Sequence, residues 1–142
     1  MTEFNLKKAT EIIDGVLAHA RANSYAPMTV TVLDAGGHVI ATKREDGAAI
    51  LRPQIAHAKA WGVLGTGSGG RALAKRGADN PAFFAALDTI SDGRIVPALA
   101  GILIRDGGGK LLGSLGISGD RPERDEECGL ASIAAAGLSA EP

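Results

Sequence analysis

The chain is predicted to be an α+β protein built on a mostly antiparallel sheet, and three observations carry that prediction. Two blocks, TVLDAGGHVIAT around Asp34 and LIRDGGGKLLGS around Asp106, each run as a strand into an Asp, pass through paired glycines and leave as a strand. An Asp side chain holds its own backbone in an Asx-type turn and glycine tolerates positive φ, so each block reads as a β-hairpin. Amphipathic helical stretches precede, separate and follow the hairpins, enough to cover their apolar faces. The strands come in adjacent pairs, which points away from parallel βαβ winding.

The first element is a helix from Leu6 to about Ala20. Leu6, Ala9, Ile12, Ile13, Val16, Leu17 and Ala20 recur at helical spacing, with Lys7, Lys8, Glu11 and Asp14 off the stripe. ANSYAP punctuates before the first hairpin, whose strands read as Met28 to Leu33 and His38 to Arg44. Pro53 suits the first turn of a second helix through QIAHAKAWGVLG, with Ile55, Ala58, Gly62 and Val63 on one face and His57, Trp61 and Leu64 on another. GTGSGG is a turn before a short helix RALAKR. Asn80-Pro81 then starts FFAALDTIS, which Gly93 closes. RIV is an extra short strand candidate ahead of Pro97, and GILIRD with KLLGSLGIS forms the second hairpin. The last helix opens at Asp120, Pro122 and Glu123, with Asp120 and Glu123 spaced as a capping box and Gly137 near its end.

The 142 residues fit one domain spanning the whole chain, with a formal net charge of -1 and no basic stripe, so nucleic acid is not an expected partner. No run reaches membrane-spanning length and the N-terminus lacks the pattern of a signal peptide, so the expected location is cytoplasmic. A single cysteine, Cys128, excludes an internal disulfide and a CxxC site. It is assigned as a small core hydrophobe. Gly65, Gly67 and Gly70 match GxGxxG by spacing, but a helix rather than a strand precedes them, so no organic nucleotide cofactor is indicated.

The three histidines show no metal-pair spacing. His19 and His38 are expected at the surface, whereas His57, one helical turn from Trp61, has an apolar neighbour suited to a porphyrin edge. Arg44 at a strand end, together with the amides opening the last helix, suits a carboxylate.

Three segments in register, VTVLDAGGHVIATKREDGA, IAHAKAW and GILIRDGGGKLLGSLGISGD followed by a D-x-x-C-x-x-A helix, resemble the GlcG/HbpS-like haem-binding family, which includes the C-terminal domain of PduO-type proteins. The resemblance runs from about Pro27 to Gly137. Its matched positions are Asp34, Gly36, Gly37, Arg44, Asp46, Ala58, Lys59, Ala60, Gly116, Ser118, Gly119 and Asp125. It implies a profilin-like fold with a five-stranded antiparallel sheet, assembly into homo-oligomers and, for some members, non-covalent haem binding. Many relatives carry a glycine turn before the penultimate strand, where this chain reads PALAGI; the β-carbon of Ala100 is expected to narrow the pocket or alter an oligomer contact.

The leading expectation is a small-molecule-binding protein whose ligand is haem or a related tetrapyrrole, contacted by His57, Trp61, Arg44 and Lys59, with His57 as the only candidate for iron. The alternative is a cofactor-independent enzyme moving a proton on a small carboxylated catabolite. Its candidate catalytic residues are Arg44, Asp46, His57 and Asp125.

Overall fold

The computed structural model describes residues 3–142 and places five helices and five strands in the order α1 (Leu6–Ala22), β1 (Thr29–Asp34), β2 (Val39–Arg44), α2 (Arg52–Thr66), α3 (Gly70–Asp79), α4 (Pro81–Ile90), β3 (Gly101–Arg105), β4 (Leu111–Ser118), α5 (Pro122–Ala135) and β5 (Ser139–Glu141). The sheet has the order β2-β1-β4-β3-β5 and every pair is antiparallel. This is the expected α+β architecture with five strands. The fifth strand, however, is the C-terminal Ser139–Glu141 on the edge of β3, and Arg94–Val96 forms no strand.

Both hairpin turns are the same device. Asp34 Oδ1 accepts from the amides of Gly36 (2.9 Å) and His38 (3.0 Å), and Asp106 Oδ1 accepts from those of Gly108 and Lys110, both at 2.9 Å. Each Asp amide in turn donates to the residue four positions on, closing the hairpin. The turns therefore need a carboxylate or amide oxygen at that position and a glycine at the φ of +85° and +88° adopted by Gly37 and Gly109.

The two faces of the sheet are built from different residues. Val30, Val32, Ile102, Ile104, Leu115 and Ile117 face α1 and α5 and form the main core with Ile12, Ile13, Val16, Cys128 and Ile133. Helix α5 lies close on α1, where Ser132 Oγ donates to the Ile12 carbonyl at 2.6 Å beside Gly15. On the other face β4 presents Ser114, Gly116 and Ser118, and α2 sits directly on this small-residue strip. A β-carbon at Gly116 would collide with the backbone oxygen of Ala56, and one at Gly101 with that of Lys59. Gly116→Ala must push α2 off the sheet, and we expect it to cost about 3 kcal/mol in chemical denaturation.

The sheet-facing stripe of α2 is Ala56, Lys59, Ala60 and Val63, not the Ile55, Ala58, Gly62 and Val63 face read from sequence. Gly62 and Ala58 are also buried, because the segment around Ile95 packs against that flank. A smaller cluster of Val63, Leu73, Phe84 and Leu103 ties α2, α3 and α4 to β3. The capping box expected at α5 is not made. Asp120 instead accepts from the amides of Ala26 (2.7 Å) and Arg121 (2.7 Å), fastening the start of α5 to the approach to β1.

Ala100 is fully buried with φ of 76°, left-handed backbone that a β-carbon disfavours. It belongs to the core over the α1 and α5 face. Its consequence is therefore backbone strain. Ala100→Gly should raise stability by about 0.5–1 kcal/mol, the strain relieved exceeding the added freedom of the unfolded chain; a thermal melt reads the sign directly.

Candidate functional site

Three places gather the residues singled out by sequence. The first is a cleft of about 390 Å³ on the side of α2 turned from the sheet, lined by Pro53, Gln54, His57, Ala58, Gly93 and Arg94. His19 bonds Glu127 at 2.7 Å and His38 bonds Asp34 at 3.1 Å, whereas the imidazole of His57 has no hydrogen-bond partner among the described residues. Burial, reinforced by the positive charge of Arg94, holds the His57 pKa below its ordinary 6.5. At neutral pH this ring is uncharged, with nitrogen lone-pair density available to an electrophile or metal.

Arg94 links this cleft to Trp61. Its guanidinium lies 4.1 Å from the centroid of the indole, a cation–π stack. Trp61 is wedged between Gly65, where a β-carbon would come within 2.7 Å of the ring, and the first hairpin turn, where one at Gly37 would sit 3.1 Å from the indole nitrogen. With Ala35, Gly36, Gly37, Leu64 and Gly65 the indole lines a second, smaller hollow of about 140 Å³. His57 and Trp61 thus border adjoining hollows, bridged by Arg94. Nothing in the sequence flagged Arg94, which follows the positive-φ Gly93 in a loop read as a strand.

The second place is buried. Lys59 is 5% exposed and its ammonium donates to the Ile117 carbonyl at 2.8 Å while standing 3.6 Å from Asp125. The Asp125 carboxylate, fully buried, accepts from the amides of Asp120 (2.9 Å) and Gly119 (3.3 Å). Burial raises the Asp125 pKa and lowers that of Lys59, against the opposing pull of each charge on the other. The two amides of the loop just ahead of α5 are therefore occupied by the chain's own carboxylate, while the first turn of the helix has no side-chain cap. Lys59 does not line the His57 cleft.

The third is a polar cleft of about 370 Å³ formed by Arg21, Pro27, Arg44, Glu45 and Asp46. Arg44 donates to the Ala48 carbonyl at 3.0 Å, and Arg21 pairs with Glu45 at 3.0 Å. Arg44 and Asp46 do share a cleft, but it contains neither His57 nor Asp125. Cys128 is wholly buried and its thiol is pushed up to about 12, chiefly by burial, as suits a core residue. Among the described residues no group of three His, Cys, Asp or Glu side chains is placed to hold a metal ion, and no helix is long and apolar enough to cross a membrane.

Against known proteins, the family model described as "Haem degrading protein HbpS-like" matches residues 4–134. The chain belongs to the HbpS-like family. Its fold is shared with the crystallised PduOC:heme complex, at 23% identity and TM-score 0.87 over 99% of this chain and 100% of that one. A double mutant of HbpS from Streptomyces reticuli is 26% identical with TM-score 0.78, covering 95% and 88% of the two chains. The ORFY protein of Klebsiella pneumoniae is 19% identical with TM-score 0.81 over 96% and 94%. No curated protein gives a significant sequence match. The resemblance drawn from the hairpin, helix and post-hairpin segments is thereby confirmed at the level of family and fold.

Proposed function

We propose that this HbpS-like protein binds haem or a related tetrapyrrole non-covalently, with His57 as the iron ligand. The observation that carries the reading is the unpartnered, uncharged imidazole of His57 in the α2 cleft. The residues present fit the group. Pro53, Ala58 and Gly93 offer apolar surface, and the stacked guanidinium of Arg94 offers a cation for an acidic substituent. When bound, haem would supply the redox-active iron; the chain supplies a nitrogen ligand, a rigid Trp61–Arg94 wall and partial exclusion of water. The cleft, at about 390 Å³, lies toward the small end of ligand sites, so the reading includes a homo-oligomer in which a second copy covers the exposed part of the ligand.

Titrating the purified protein with hemin tests this. The expected result is a saturable shift of the Soret band. Its affinity should stay level from pH 8 down to about 6.5 and fall at lower pH as the imidazole protonates, because the His57 pKa lies below 6.5. Absence of a saturable change removes the reading.

A further inference from the structure

Beneath the N-terminal end of α2 is a polar group without a partner. Thr29 is fully buried, and its hydroxyl is the buried side-chain oxygen left with no hydrogen bond among the described residues. The register fixes where it faces. Thr29 is paired with Ser118 on β4 and with Arg44 on β2, so all three share one face of the sheet. That face is the one under α2, because Ser114 on the same side of β4 donates to the Ala60 carbonyl at 2.7 Å and Arg52 reaches Ser118 Oγ at 3.0 Å. Arg52 opens α2 seven residues before Lys59, two turns along the same sheet-facing stripe.

The local charges do not cancel. Asp125 faces the charges of both Lys59 and Arg52, and Asp46 shares the cleft of Arg44, so one positive charge remains in excess beside a strip of hydroxyls. Neither arginine is paired with a carboxylate among the described residues: Arg52 donates to the Ser118 hydroxyl and Arg44 to the Ala48 carbonyl. The N-cap residue Leu51 supplies no side-chain acceptor to the first turn of α2. A buried hydroxyl without a partner costs stability, and a group that accepts from it would recover that cost.

We propose that this end of α2 is a binding site for a small carboxylate, held by Arg52 and the hydroxyl of Thr29, with Ser118 and Arg44 at its sides. A planar carboxylate accepts from a guanidinium and a hydroxyl at once, and a monoanion matches the charge present better than a phosphate dianion. The site lies on the sheet side of α2, opposite the His57 cleft, and stands independently of the haem reading.

Acetate is the probe, followed by backbone amide chemical shifts in the assigned protein, with sodium chloride at equal ionic strength and inorganic phosphate as comparisons. Acetate should give saturable shifts at Thr29, Ser118 and Gln54 that chloride does not reproduce. Arg52→Gln should abolish them, and Arg52→Lys should keep a weakened response. Thr29→Val is the decisive variant because it keeps the shape and removes the orphan hydroxyl. Without ligand it should melt a few degrees higher, and it should bind acetate several-fold more weakly. Acetate shifts no larger than those from chloride, tighter binding of phosphate than of acetate, or an unchanged acetate affinity in a stably folded Thr29→Val would each overturn the site.

Discussion

Asp125→Ala is expected to lower stability by about 3–5 kcal/mol, enough to unfold much of the population of an ordinary small protein. The carboxylate is fully buried and receives two amides and one ammonium. Removing it leaves the Lys59 charge inside the protein with only the Ile117 carbonyl beside it, and leaves the Gly119 and Asp120 amides without their acceptor. The damage comes from the uncompensated partners more than from the lost attraction. Lys59→Met combined with Asp125→Leu should therefore be less destabilising than the two single changes added together, a coupling that urea titrations of the full cycle would measure. Strict additivity would show that the pair does not act as a unit.

The second large effect is on ligand binding. His57→Ala should weaken hemin binding by at least about tenfold and move the Soret maximum, since it removes the nitrogen assigned to iron. The fold should be unaffected, because the imidazole is half-buried and makes no hydrogen bond that the structure needs. Arg94→Ala makes an informative companion. It removes the stack on Trp61 and the positive charge beside His57, so the pH at which hemin affinity falls should rise toward the ordinary histidine value. An unchanged spectrum and affinity in His57→Ala would move the ligand elsewhere on the molecule.

The parts of the fold visible in the sequence are those set by local chemistry. Each Asp and its glycines act within five residues, so the two turns could be read from the chain alone, as could the strands leaving them and the amphipathic α1. The fifth strand could not, because Ser139–Glu141 is three residues long, carries no alternation and exists only as a partner for the edge of β3. The orientation of α2 was hidden for a different reason. Its small residues are buried on two flanks, so hydrophobic spacing does not single out the sheet-facing side, and the decisive signal lies in Gly101 and Gly116 on other elements.

The candidate site was legible in part. His57 stood out as a helix-borne imidazole near Trp61, and both border adjoining hollows. Lys59, read from sequence as a ligand contact, and Asp125, read as a candidate catalytic residue, are partners in a buried pair. Arg94 and Thr29 were invisible because their significance is tertiary. One depends on a loop crossing α2 and the other on which face of the sheet the helix covers.

A crystal structure of the protein loaded with hemin tests the central claim most directly. The predicted result is an iron bonded to His57, with the tetrapyrrole lying along the Pro53, Ala58 and Gly93 surface beside Arg94. Iron ligated by any other residue, or hemin seated away from the α2 cleft, would contradict it.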